Sequence, residues 1–220
     1  MGRFGAFDII GPKMIGPSSS HTAGAARLSR LARKIAGDNV SSAEITLYGS
    51  FAETGKGHGT DKALVAGLLG MESDDVRLRF SILLAHEAGI GIKFIYSDEE
   101  TSHPNHVKIK ITSSSGVVTE VEGNSVGGGN VEITSINSMH VCLTGEYPAI
   151  VVHYIDKPGI ISKVTDLLAA SNINVAFMRV FRVGRREDAC MVIETDTPVN
   201  DAIVADIYKT NADIFEVRTI

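Results

Sequence analysis

The last third of the chain carries the pattern that most restricts its fold. Ala149 to Tyr154 reads as a strand, and Asp156-Lys157-Pro158-Gly159 follows, with Pro158 suited to the first turn of a helix. Ile160, Val164, Leu167, Leu168 and Ser171 trace one helical face, and Asn172 supplies a left-handed stop. Ile173, Val175 and Phe177 alternate as a second strand, and Gly184 to Glu187 forms a hairpin turn into Ala189–Thr195. Val199, Ile203 and Ile207 mark a second helix, and Phe215 and Val217 a last strand. A β-α-β-β-α-β order of this kind predicts a ferredoxin-like split βαβ arrangement.

That unit takes up residues 148–220, and the chain has 220 residues, enough for a second small core ahead of it. Residues 1–142 are expected to form an α+β domain, with a short Gly- and Pro-punctuated linker over residues 143–147. Thr22 to Ala36 reads as an amphipathic helix, its apolar face made by Leu28, Leu31, Ala32 and Ile35. Arg27, Arg30 and Lys34 fall on another face, read as solvated surface. A strand is expected from about Ala43 to Ser50, a helix after Thr60-Asp61 stopping at Gly70, and a further helix from Leu78 to Ala88. Alternation then predicts strands around Ile92–Tyr96, Val107–Ile111, Val117–Val121 and Val131–Ser135.

Charge and composition exclude several classes of function. Lys and Arg total 21 against 26 Asp and Glu, a net charge of -5, with no long basic run for a nucleic-acid backbone. No apolar run is long enough to span a bilayer, and Met1 to Ile10, with Arg3 as its one base, does not read as a signal peptide. The expected location is the cytoplasm. The two cysteines, Cys142 and Cys190, lie far apart in apolar surroundings and read as buried small hydrophobes. No metal ligands are expected in this chain, since a cluster that needs three or four thiolates cannot be held by two.

Two segments point to chemistry. In Gly16-Pro17-Ser18-Ser19-Ser20-His21-Thr22 several hydroxyls, an imidazole and unpaired backbone N–H groups meet at one helix start, a place that favours a carboxylate or phosphate. Capping would use one hydroxyl, and here there are four. Ser18, Ser19, Ser20, His21 and Thr22 are therefore taken as substrate-binding candidates. In Thr54-Gly55-Lys56-Gly57-His58-Gly59-Thr60-Asp61 glycines flank the histidine, which suggests an open loop. His58 is the candidate for proton transfer and Asp61 a further binding candidate, because an imidazole titrates near neutrality. The lysine lacks the spacing of a phosphate-binding P-loop. His103-Pro104-Asn105-His106 reads equally as a binding segment or as a rigid turn with solvated histidines, and Ser125-Val126-Gly127-Gly128-Gly129-Asn130 as a ligand approach or a hairpin.

These segments, together with Phe7-Asp8 and Tyr48-Gly49-Ser50, resemble the beta subunit of the two-chain iron–sulfur L-serine dehydratases over essentially the whole chain. From about Pro148 the chain resembles an ACT domain, with Asp156–Gly159 as its ligand-loop signature. The resemblance implies a partner alpha subunit that carries a 4Fe-4S cluster on its own cysteines and converts L-serine to pyruvate and ammonia without pyridoxal phosphate. An open iron would act as Lewis acid for the departing hydroxyl. It implies that His58 and the Ser18–Thr22 segment close the site at the subunit interface. It also implies an ACT-mediated homodimer with an allosteric ligand near Asp156, Gly159, Asn172, Ile173 and Asn174. The first domain further resembles a substrate-binding domain of some phosphoglycerate dehydrogenases.

A different class of function, a stand-alone amino-acid sensor, would need the ACT half alone, and the Ser18–Thr22 and His58 segments argue against it. A phosphoglycerate-dehydrogenase fragment is disfavoured by the lack of a G-x-G-x-x-G fingerprint.

Overall fold

A computed structural model of the chain describes residues 12–37 and 39–220. Phe7-Asp8 lies outside the described residues. The chain forms two compact units that divide between Ser138 and Met139.

In the first unit, Ser18 is extended and accepts the His21 N–H through its Oγ at 3.1 Å. A π-helical turn, Ser19–Gly24, begins there and continues directly into α1, Ala25–Ala36. The helix thus starts three residues earlier than the apolar periodicity alone indicates, because a hydroxyl cap, not a hydrophobe, sets its first turn. Strand β1 is Val40–Leu47. The expected continuation to Ser50 is corrected: Tyr48 is the cap of α2, Gly49–His58. Gly49 takes φ +49°, and a Cβ there would stand 2.7 Å from the Pro104 carbonyl oxygen, so only glycine turns the chain at this point.

The glycine-flanked segment read as an open loop is helical instead. Thr54 to His58 form the end of α2, Gly59 breaks the chain at φ +71°, and α3, Thr60–Leu68, follows at once. Glycine is a poor helix former, but Phe51 and Gly55 are buried, and tertiary packing overrides the local preference. The predicted Leu78–Ala88 helix is divided into a 3-10 turn, Val76–Phe80, and α4, Ser81–Glu87. Asp75 caps the 3-10 turn through Arg77 N, and the Ser81 hydroxyl donates to the Lys62 carbonyl at 2.6 Å.

The remaining strands are β2 (Gly91–Tyr96), β3 (His106–Ser113), β4 (Val118–Gly127) and β5 (Asn130–Ile136). They lie in the order β2-β1-β3-β4-β5. β1 and β2 are parallel, joined by the helical crossover, and the other pairs are antiparallel. Leu28 of α1, Leu64 and Leu68 of α3, and Ile45, Leu47, Ile109, Ile111 and Ile133 of the sheet make the buried centre. Gly67 lets α3 lie against α1, since a Cβ there would collide with the Ala26 carbonyl and the Ser29 hydroxyl.

The second unit opens with β6, Met139–Leu143. The sequence pattern missed this strand because its alternation is short and mixed. Then come β7 (Ala149–Ile155), α5 (Ile160–Ala170), β8 (Val175–Arg182), β9 (Asp188–Thr195), α6 (Asp201–Thr210) and β10 (Ile214–Thr219). The antiparallel sheet order is β10-β7-β9-β8. Ile150, Val152 and Tyr154 of β7 pack with Ile160, Val164 and Leu168 of α5 and Ile207 of α6. Pro158 is not within the first helical turn: Gly159, at φ +90°, is the cap and the helix starts at Ile160. Asn172, at φ +57°, ends the turn after α5 as expected. Among the described residues no helix is long and apolar enough to cross a membrane.

Candidate active-site half in the first unit

The end of α2 and the start of the π-turn meet at two histidines. Their ring centroids, His21 and His58, are 4.8 Å apart at an interplanar angle of 39°, and Phe51 packs edge-on to His21 at 5.1 Å. His21 Nε2 lies 3.1 Å from Thr54 Oγ1 and 3.2 Å from Ser50 Oγ. His58 Nδ1 lies 3.0 Å from the Thr54 carbonyl oxygen. A carbonyl can only accept, so Nδ1 of His58 donates and, in the neutral ring, Nε2 carries the lone pair. The Thr22 hydroxyl donates to the His58 carbonyl at 3.3 Å, tying the two segments together. Burial holds the His21 imidazole below its ordinary pKa; the Ser50 carbonyl opposes that shift and the neighbouring His58 adds to it.

Of the expected residues, His21, Thr22 and His58 share this cluster. Ser18 acts as the cap that fixes the His21 backbone. Ser19 and Ser20 are half-buried beside them, and the Ser20 carbonyl accepts from the buried Ser125 hydroxyl at 2.9 Å. Asp61 stands apart from this network: its carboxylate accepts from Lys62 N at 2.8 Å, and it acts on the Tyr96 phenol. Ser50 and Thr54 were not singled out by sequence. Had the His58 segment been read as helix, the i, i+4 spacing of Ser50, Thr54 and His58 would have placed all three on one face.

Two further motifs support this cluster from outside. Asn105 N donates to His103 Nδ1 at 3.1 Å, the signature of a rigid turn. His106 is not solvated, as one reading had it: it is buried, with Nδ1 2.8 Å from Asn124 Oδ1 and its ring 5.2 Å from Tyr48. Asn105 Nδ2 donates to the Ser125 carbonyl at 3.3 Å, and Ser125 reaches the π-turn. The Gly127-Gly128-Gly129 run forms the β4–β5 hairpin, all three residues at positive φ.

In the second unit the expected ligand residues fall into two groups. Asp156 pairs with Arg182 at 3.3 Å, and its backbone N–H donates to the Glu187 carbonyl. A Cβ on Gly159 would meet open space. Asn172, Ile173 and Asn174 follow the far end of α5, where Asn174 Nδ2 donates to Asp196 Oδ2 at 2.8 Å. The 11 residues of α5 separate the groups, a span of about 16 Å at 1.5 Å per residue.

Comparison with known proteins decides the family. The serine dehydratase beta chain model matches residues 6–88, and the ACT domain model residues 149–210. A probable L-serine dehydratase beta chain of Bacillus subtilis (strain 168) is 46% identical over 203 residues, covering 92% of each chain. The L-serine dehydratase beta chain of Peptoniphilus asaccharolyticus is 39% identical over 204 residues, again 92% of each. The chain belongs to the L-serine dehydratase beta-chain family. An L-serine dehydratase of Streptomyces coelicolor is 42% identical over 108 residues, 40% of this chain and 23% of that protein. The beta-chain match spans His21, Ser50, Thr54 and His58 together.

As a beta chain, this molecule offers a poor donor set for an iron–sulfur cluster. Among the described residues no group of three or more His, Cys, Asp or Glu side chains is placed to hold a metal ion. Cys190 is buried in the second unit, where burial first and Glu216 second push its thiol up to about 12, far from the thiolate a cluster requires. Cys142 is half-buried, and its sulfur accepts from Arg179 at 3.1 Å.

Proposed function

We propose that this chain is the beta subunit of a two-chain L-serine dehydratase that converts L-serine to pyruvate and ammonia. The observation that carries the proposal is the paired-histidine cluster, in which the Thr54 carbonyl orients His58 so that a lone pair remains on Nε2. A base is required because the α-proton of an amino acid is weakly acidic. His58 Nε2 takes that proton. His21, whose pKa burial lowers, and the hydroxyls of Ser19 and Ser20 line the approach, while buried Thr22 ties the two segments together. The N–H groups at the π-turn favour the substrate carboxylate. Departure of the hydroxyl from Cβ falls to the partner alpha subunit, to which the 4Fe-4S cluster is assigned. Loss of the proton and the hydroxide leaves an aminoacrylate, which tautomerises and hydrolyses to pyruvate and ammonia. A second subunit over the half-exposed cluster excludes water from the reaction. The expected setting is the cytoplasm.

The ACT unit is proposed to pair with a second copy. Within one chain Asp156 and Gly159 are held away from Asn172, Ile173 and Asn174 by the length of α5. A two-fold partner would bring one chain's Asp156 loop to the other's Asn172 turn and complete an allosteric site there. Strand β8 ends the order of its sheet among the described residues, and its Phe177 is 51% exposed with its ring edge-on to Tyr147 at 5.6 Å.

Anaerobic reconstitution tests both statements. The purified chain alone is expected to be colourless, inactive and dimeric by sedimentation. Addition of the cysteine-bearing alpha chain, with iron, is expected to give serine-dependent pyruvate. Serine turnover by this chain without iron or partner contradicts the first statement, and a monomeric full chain contradicts the second.

A further inference from the structure

Among the described residues Thr54 bonds both imidazoles: its hydroxyl meets His21 Nε2 and its carbonyl meets His58 Nδ1. We infer that Thr54 is a positioning residue that fixes the tautomer of His21 as well as that of His58, an assignment that rests on the proposed role of the cluster.

The Thr54 hydroxyl has a single proton, and it also lies 2.9 Å from the Ser50 carbonyl, one helical turn back. That carbonyl can only accept, and it makes the shortest of the hydroxyl's contacts, ahead of His21 Nε2 at 3.1 Å and Ser50 Oγ at 3.4 Å, so we place the proton on it. What Thr54 Oγ1 then offers His21 is a lone pair, and Nε2 must carry the hydrogen. The opposite tautomer would set two lone pairs against each other at 3.1 Å. Ser50 Oγ, at 3.2 Å, accepts or donates as needed and does not decide the matter. The two rings are consequently held in opposite tautomers, His21 as Nε2–H and His58 as Nδ1–H. Each then keeps a lone pair on its other nitrogen, Nδ1 of His21 and Nε2 of His58. The device depends on helical spacing: Ser50, Thr54 and His58 are successive i, i+4 positions of α2.

The test uses the full chain labelled with nitrogen-15 in histidine, read by NMR at a pH where both rings are neutral, and the reconstituted complex for turnover. Thr54→Val removes the hydroxyl and keeps the shape and the carbonyl; Thr54→Ser restores the hydroxyl. His21 is expected to show the Nε2–H signature in the wild type and in Thr54→Ser, and a mixture of tautomers in Thr54→Val. Turnover is expected to fall about tenfold in Thr54→Val and to recover in Thr54→Ser, as for other groups that orient a reacting residue. A pure Nε2–H signature retained in Thr54→Val overturns the assignment, as does its loss in Thr54→Ser. A shifted tautomer alongside wild-type turnover in His58→Gln upholds the Thr54 assignment and overturns the proposed function instead.

Discussion

Burial holds the His21 imidazole below its ordinary pKa of 6.5; the Ser50 carbonyl works against the shift and His58 reinforces it. The unfolded chain binds a proton at this residue near 6.5, whereas the folded chain resists it. His21 therefore adds stability that is present above pH 6.5 and lost as the pH falls through its lower, folded-state value. Urea denaturation of the full chain is expected to show a falling midpoint from pH 7.5 towards 5.5, with a smaller fall in His21→Gln. An identical pH dependence in the two proteins would show that His21 titrates freely in the fold. His21 itself was visible in the sequence, as an imidazole beside a row of hydroxyls at a helix start. Its hydroxyl partners were not, because Ser50 and Thr54 become neighbours of His21 only when α2 and the π-turn meet.

Elements whose apolar spacing agrees with their packing were legible, and those set by a single backbone contact were not. The split βαβ order of the second unit follows from Ile150, Val152 and Tyr154 alternating against the helical stripe Ile160, Val164 and Leu168. By contrast, α2 was hidden because Gly55 and Gly57 speak against helix while buried Phe51 holds it. The end of β1 was misplaced because the chain turns at Gly49, at positive φ and with the Pro104 carbonyl, distant in sequence, where a Cβ would stand. The α1–α3 contact rests on the same kind of detail. Gly67→Ala is expected to destabilise the chain by about 1–3 kcal/mol, the usual cost of overpacking, because the new methyl meets the backbone carbonyl of Ala26, which cannot swing aside. Thermal unfolding measures it; an unchanged or raised Tm would mean that the two helices separate at little cost.

On the scale of the whole molecule, the chain divides its work between two cores. The first brings the rings of His21 and His58 together, with no group of three or more His, Cys, Asp or Glu placed to hold a metal ion among the described residues; the second matches the ACT domain and holds the two proposed ligand groups at opposite ends of α5. The same two-part organisation belongs to a family whose members at 46% and 39% identity are named as L-serine dehydratase beta chains, and in the proposed function the remainder of the chemistry falls to an alpha subunit. The most direct measurement is serine turnover by the anaerobic alpha–beta complex carrying His58→Gln, beside a wild-type complex of equal cluster content. Loss of a general base predicts a fall of about 10²-fold or more in kcat with assembly of the complex intact. Turnover equal to wild type would contradict the assignment of the paired-histidine cluster as half of the active centre.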